Sequence, residues 1–414
     1  MTIAADLSVE ASAARSILSA SAVRARAHEM LGIAEAGGLE HWIVDHDRLP
    51  SVAAFVASIV RRQYPRLSVP FHARWRHFTL AGRDLWAEAP SPDDPDARAR
   101  AAFDLAIVSV LLDAGSGPGW SYRDAATRET VSRSEGLAIA SFRLFESGAL
   151  SADPRQPLRA DAGRLAALDD ELLARAFQAG PDNPLLGVAG RAALIRRLGA
   201  QARARPDLFA RADHPRPGGL YDEILARAGG RSVPAPLILE VLLDALGPIW
   251  EGRLILGGLP LGDCWRHPAL RRQDATDGLV PLHKLSQWLA YSLVEPLQAA
   301  GCTVSDLDGL TGLAEYRNGG LFFDTGVLRL RDPEQSGVRH AVSDPLVVGW
   351  RSMTVALLDR IAPLVRERLG VSEAAFPLAR VLEGGTWAAG RVLARQERAD
   401  GGPPLKIDSD GTVF

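Results

Sequence analysis

Pro281-Leu-His-Lys-Leu-Ser-Gln-Trp-Leu-Ala-Tyr-Ser-Leu-Val-Glu-Pro296 is the stretch on which the fold class turns. Leu282, Leu285, Leu289 and Leu293 recur at three- and four-residue spacing, the repeat of one helix stripe and not the period of two that a strand needs. A second face of this helix carries Lys284, Gln287, Trp288, Tyr291, Ser292 and Glu295, a mixture of charge, hydrogen-bonding groups and aromatic rings suited to lining a polar pocket. The same face serves equally well as an ordinary solvated surface edged by two aromatics.

Working outward, the helical repeat returns over residues 51–62, 97–112, 134–146, 162–177, 190–203, 236–246 and 345–369. The expected fold class is therefore mainly α. Punctuation agrees: Pro281 suits a first turn, Gly301 follows a last turn, and Asp344 before Pro345 suits an N-cap. Strand signals are few, the clearest being residues 321–323 and 327–331 around Asp324-Thr-Gly326, and residues 405–407 with the tail from Asp408 to Phe414. Both predict small β-hairpins.

A chain of 414 residues, 47% of them hydrophobic, can bury a large core and divides most naturally into lobes. Pro- and Gly-rich breaks at residues 90–95, 153–157, 215–219 and 401–404 mark loops or junctions. They suggest an N-terminal arm over 1–20, a helical lobe over 21–155, a second helical lobe with the site over 156–400, and a tail over 401–414. The opening 26 residues are rich in Ala, Ser and Arg, but Asp6 and Glu10 interrupt them and no apolar core of a signal peptide follows.

The balance of 47 basic and 50 acidic residues gives a net charge of −3, which argues against nucleic acid as a partner. The longest apolar run, residues 105–112, is too short to cross a bilayer. Cys264 and Cys302 have neither CxxC nor His–Cys spacing, so neither a disulfide framework nor a cysteine–zinc site is expected, and a reducing cytoplasm fits.

The segment most suggestive of chemistry is Leu310-Thr-Gly-Leu-Ala-Glu-Tyr-Arg-Asn-Gly-Gly-Leu321, where a carboxylate, a phenol and a guanidinium precede a glycine pair. If residues 314–318 run extended into a turn at Asn318-Gly319, Glu315 and Arg317 share one face and Tyr316 anchors the other. A structural ion pair beside a turn is the plain alternative. Upstream, Gly257-Gly-Leu-Pro-Leu-Gly-Asp-Cys-Trp-Arg-His267 is a loop carrying Asp263, Trp265 and His267. No HExxH-type spacing accompanies that histidine, so a metal role is not expected. Phe71-His-Ala-Arg-Trp-Arg-His-Phe78, the glycine-rich turn from Leu112 to Trp120, and Arg133-Ser-Glu-Gly136 bring further polar groups. A glycine-rich turn before a helix can bind phosphate, but neither GxGxxG nor GxxxxGK[ST] occurs.

These blocks carry a resemblance. Trp75-Arg-His-Phe78, Leu111-Leu-Asp-Ala-Gly115, Arg133-Ser-Glu-Gly-Leu137, His283-Lys-Leu-Ser-Gln-Trp288 and Glu315-Tyr-Arg-Asn-Gly-Gly-Leu321 resemble the Urc4/Urg3-type family of the reductase-independent uracil catabolic pathway, from about residue 20 to the end. The resemblance implies a pathway in which uracil becomes a ribotide, its ring is opened, and a ribosylurea-type intermediate arises. The step assigned here is cleavage of that intermediate, as the free compound or its 5′-phosphate, to urea and a ribose species. A fainter similarity is to the queuosine-salvage nucleotide N-glycosidases, whose helical body is DNA-glycosylase-like. Their Lys-Arg-Ala-Gln and Asp-Tyr-Arg motifs look like Lys284-Leu-Ser-Gln287 and Glu315-Tyr-Arg317. By that similarity Glu315 matches the functional acid, while Ser292 stands where a second aspartate is expected.

The implied chemistry is a C1–N cleavage through an oxocarbenium-like state that a carboxylate stabilises. Glu315 takes that role, and a second acid, Asp263 or Glu135, protonates the ureido group. Lys284 and Arg317, with Asn318 beside them, would bind the substrate and its phosphate, and Trp265, Trp288 and Tyr291 would exclude water. No metal or other cofactor is expected. The partner is a small-molecule ribotide, with association to other enzymes of the pathway conceivable. Two other readings stay open at this point: an amidohydrolase or lyase acting on another ring-opened product, and a non-catalytic helical protein that retains a ribotide.

Overall fold

The computed structural model describes residues 9–90, 92–113, 115–212 and 214–408. The architecture is mainly α, with short two-stranded sheets between helices. The chain divides into two compact units. The described residues of Met1–His72, Gly252–Gln287 and Asp306–Phe414 form the first, and Ala73–Glu251 with Trp288–Ser305 form the second. Residue 155, where a lobe boundary was expected, lies inside the second unit. The chain instead passes between units after His72, Glu251, Gln287 and Ser305, the third of these within the helix Lys284–Ala299.

The first unit is organised on the helix Pro345–Leu369, against which Ala20–Glu35, Leu49–Gln63 and Tyr316–Asp324 pack. Every residue from Leu346 to Leu358 is buried, so this helix is covered on all sides, as a central helix requires. Asp344 caps it by accepting from the Leu346 N–H, and Gly370 ends it in the left-handed region at φ 72°. The antiparallel pair Trp42–Val44 and Leu328–Leu330 matches Trp42 to Leu330, so the expected strand near 327–331 forms, with a partner far away in sequence. The tail strand Lys406–Asp408 likewise pairs with Arg339–Ala341, in parallel. The remainder of that expected hairpin, residues 409–414, lies outside the described residues.

Residues 314–324 depart from expectation. They form no extended segment: Glu315 is an N-cap, and Tyr316–Asp324 is a helix that takes in both Asn318-Gly319 and the expected strand at 321–323. The glycine pair serves packing here. A Cβ on Gly319 would lie 2.7 Å from the Trp350 ring, so the glycine lets this helix touch Pro345–Leu369 closely. On the other side, Gly390 of the helix Trp387–Glu397 meets the Arg317 carbonyl, where a Cβ would stand 2.1 Å away. Propensity alone reads a glycine pair as a breaker, and close helix contact overrides it.

The second unit has its own central helix, Pro95–Leu111, buried over Phe103, Leu105, Ile107, Val108 and Val110. Arg133–Glu146, Val188–Ala204 and Leu220–Ala228 pack on it. The single helix expected over 162–177 is two, Ala162–Ala166 and Asp170–Ala176, because Asp169 caps the second by accepting from the Leu172 N–H. Pro281 ends a strand, Leu279–Pro281, instead of opening a helix, and His283 at φ 47° turns the chain so that the helix starts at Lys284. Among the described residues no helix is long and apolar enough to cross a membrane.

Candidate functional site

Three segments of the first unit build its polar centre: the loop and strand at 263–266, the first turn of Lys284–Ala299, and the capped start of Tyr316–Asp324. Glu315 folds back on its own helix. Its Oε2 accepts from the Arg317 N–H at 2.7 Å and its Oε1 from the Asn318 N–H at 2.6 Å. Both carboxyl oxygens thus answer the unpaired donors of a helix N-terminus. The side chain is buried, and that burial pushes the carboxyl above the usual glutamate range, against the opposing pull of the Lys284 charge, the two backbone N–H groups and Arg317. A buried carboxyl near a lysine and raised in pKa is suited to holding and passing a proton.

Asp263 is held in the opposite state. Arg351 donates to it twice, from Nη1 to Oδ1 at 2.8 Å and from Nη2 to Oδ2 at 2.7 Å. The Trp265 indole donates to Oδ1 at 2.7 Å, and the Lys284 backbone N–H donates to Oδ2 at 3.0 Å. Although burial works against ionisation, Arg351 and these donors hold the carboxyl far below the usual aspartate range. A carboxylate so firmly ionised is ill suited to the proton-donor role expected of it. Its place is structural and electrostatic: by accepting from the Lys284 N–H it fixes the start of Lys284–Ala299.

The other expected residues sort as follows. Arg317 is buried, donates from Nη1 to the Gly401 carbonyl at 2.8 Å, and lies over the Tyr316 ring at 4.7 Å. Asn318 is fully buried, its Nδ2 donating to the Leu313 carbonyl at 3.4 Å, while its Oδ1 takes no hydrogen bond among the described residues. Trp265 serves Asp263 and has Arg253 over its ring at 5.1 Å. Gln287, on the helix face read from sequence, clamps the 310–315 loop through Nε2 to Thr311 Oγ1 at 2.7 Å. His267 is buried, its Nδ1 accepts from the Ala269 N–H, and burial lowers it to about 4. Among the described residues no group of three or more His, Cys, Asp and Glu is arranged to hold a metal ion.

Glu135, Trp288 and Tyr291 belong to the second unit, where Tyr291 is fully buried and Glu135 and Trp288 stand near Arg74. The structure groups Glu315, Lys284 and Arg317 with Asp263 and Trp265, and gives Glu135 and Trp288 different company. Ser292, at the position of the expected second aspartate, accepts from the Arg74 N–H at 2.9 Å and donates to the Trp288 carbonyl, an internal brace.

Sequence reading missed Arg351, the residue that decides Asp263's state. Its signal was present, since an arginine inside Val347-Val-Gly-Trp-Arg-Ser-Met353 sits among apolar neighbours and must find an anion if buried. It singled out the block holding His72 but not the partner of that residue, Glu383, whose Oε2 lies 2.6 Å from His72 Nδ1 beside a π-helical turn, Leu382–Thr386.

The family described as "Protein of unknown function (DUF1688)" matches residues 16–414. The chain belongs to this family. Two curated relatives are similar along nearly their whole length. Protein urg3 of Schizosaccharomyces pombe is 38% identical over 410 residues, covering 96% of this chain and 98% of that protein. Uracil catabolism protein 4 of Lachancea kluyveri is 35% identical over 411 residues, covering 90% of this chain and 92% of that protein. The name of the second places that relative in uracil catabolism. The resemblance drawn from the five sequence blocks and these matches agree on the family.

Proposed function

We propose that this DUF1688 protein acts in uracil catabolism and hydrolyses the N-glycosidic bond of a ribosylurea-type intermediate, as the 5′-phosphate, to urea and ribose phosphate. The name of one relative, similar over nearly its whole length, supports the pathway. The observation that carries the reaction is Glu315, a buried carboxyl raised in pKa beside Lys284 and seated on the N–H groups of Arg317 and Asn318.

In this reading protonated Glu315 gives its proton to the ureido nitrogen as the C1–N bond breaks, and the bond's electron pair leaves with that nitrogen as urea. The resulting carboxylate faces an oxocarbenium-like sugar, which it stabilises. Water then forms the new C1–O bond and returns a proton to Glu315, so the carboxyl ends as it began. One group serves as acid and then as base, which is why firmly ionised Asp263 is not needed as a donor. Lys284 supplies positive charge for the substrate phosphate, and Asn318 Oδ1 offers an acceptor to a ribose hydroxyl.

The test is to incubate the purified protein with synthetic N-ribosylurea and with its 5′-phosphate and to assay free urea, for wild type and Glu315→Gln. Urea release that disappears in the variant while substrate binding persists is the expected result. No urea from either compound would remove the hydrolase reading.

A further inference from the structure

The buried guanidinium of Arg351 does more than neutralise Asp263. Besides its two bonds to that carboxylate, its Nε donates at 3.1 Å to the Ala314 carbonyl, the peptide group that leads directly into Glu315. One planar group therefore grips two segments, at Asp263 and at Ala314, in a fixed geometry. Trp350, the preceding residue, donates from Nε1 to the Gly319 carbonyl at 3.1 Å. The helix Pro345–Leu369 thus holds the capped turn at Glu315 from both ends.

Asp263 carries the grip onward. Its carbonyl accepts from the Leu282 N–H at 2.9 Å and the His283 N–H at 3.1 Å, and its carboxylate accepts from the Lys284 N–H at 3.0 Å. Three consecutive N–H groups on one residue hold His283 at φ 47°, a conformation that side-chain-bearing residues rarely adopt. The His283 ring is buried, and its Nδ1 takes no hydrogen bond among the described residues. Backbone strain and an orphaned ring nitrogen mark a turn kept for where it sends the chain and not for its own stability. What it sends out is Lys284, whose charge acts on the Glu315 carboxyl.

We infer that Arg351 is a positioning residue that sets Lys284 and Glu315 against each other, an assignment that rests on Glu315 as the acid of the proposed reaction. It works through backbone groups: the Ala314 carbonyl on the glutamate side and, by way of Asp263, the Lys284 N–H on the lysine side. A lysine at 351 keeps the positive charge beside Asp263 but offers a swivelling ammonium in place of a rigid fork, so it separates positioning from charge balance.

The experiment follows the Glu315 carboxyl across pH by 13C NMR of glutamate-labelled full-length protein, its resonance assigned by loss in Glu315→Gln. When Lys284 is removed or displaced, less positive charge offsets burial, so the Glu315 midpoint should rise in Lys284→Met and in Arg351→Lys. The double variant should titrate like Lys284→Met alone, since a lysine that is absent cannot be misplaced. With N-ribosylurea 5′-phosphate, kcat of Arg351→Lys should fall by about a hundredfold, the scale of a misplacement of about 1 Å. Circular dichroism reports folding, and if Arg351→Lys does not fold, Asp263→Glu, which keeps the charge and moves the carboxylate by one methylene, is read in the same way. An unmoved midpoint in the folded variant, additive shifts in the double variant, or an unchanged kcat overturns the inference. The titration needs no substrate, so it stands apart from the hydrolase reading: a wild type that releases no urea removes that reading, whereas an unmoved midpoint in a protein that releases urea removes only the positioning role.

Discussion

Asp263 and Arg351 join through two parallel hydrogen bonds of 2.8 and 2.7 Å, with the arginine fully buried inside the helix Pro345–Leu369. Such a pair is held together by mutual dependence: each charge is tolerable in the interior because the other is there. Removing one partner strands the other.

Arg351→Met should therefore destabilise the protein by about 3–5 kcal/mol, the range for breaking a buried pair from one side. Adding Asp263→Leu to it should restore much of that loss, since no unpaired charge remains. Chemical denaturation of the two single variants and the double variant measures this, and a double variant no more stable than Arg351→Met would count against the pairing account.

Glu315→Gln keeps an acceptor oxygen for the helix start but cannot cycle a proton. Stability should change by about 1 kcal/mol, the scale of an altered cap, whereas urea release should fall by about a hundredfold or more, the usual contribution of a positioned acid or base. Wild-type turnover should decline on the alkaline side as Glu315, whose pKa lies above the usual range, loses its proton. A rate that stays flat with rising pH would refute the acid role.

The two carboxyls should also leave opposite marks on stability. Glu315 binds its proton more tightly folded than unfolded, so its contribution is fully present below the ordinary glutamate pKa and is lost as pH rises through the folded value. Asp104, raised by burial to about 6, adds a slope of the same sign between about 4 and 6. Asp263 is depressed, so its contribution stands above the ordinary aspartate pKa and is lost as pH falls. Unfolding free energies across pH should show the Glu315 slope vanish in Glu315→Gln and the acid-side loss shrink in Asp263→Asn, with Asp104→Asn isolating the third term.

Gly319→Ala should be destabilising despite alanine's better helix propensity, by about 1–3 kcal/mol as for overpacked cores, because the new methyl meets the Trp350 ring at 2.7 Å. Thermal melts of this variant beside Gly163→Ala, where nothing lies within 4 Å, separate steric conflict from propensity.

Most helices were legible because their apolar repeats are long, as in Pro345–Leu369 and Pro95–Leu111. What failed was local chemistry overruled by distant partners. Asn318-Gly319 reads as a turn until Trp350 and the helix Trp387–Glu397 are known to press against its helix. Leu328–Leu330 finds its strand partner at Trp42–Val44, a separation no hairpin signal encodes. At the site, Glu315 and Lys284 were visible as chemistry-bearing residues in order, but Asp263's ionisation depends on Arg351, 88 residues away. Sequence spacing names candidate groups; the state of each is set by what folding brings beside it.

The interrupted connectivity of the first unit has a consequence for biogenesis. Its helices before His72 are made early, yet the strand that meets Trp42–Val44 and the helix that covers Ala20–Glu35 are translated only after residue 305. While the ribosome makes the intervening stretch, those early helices must wait with apolar faces unsheltered, the circumstance in which nascent chains recruit chaperones or aggregate. The second unit, whose long first segment runs unbroken from Ala73 to Glu251, has a shorter wait for its closing piece. A stalled or prematurely terminated chain would thus leave behind a fragment whose opening helices have nowhere to dock.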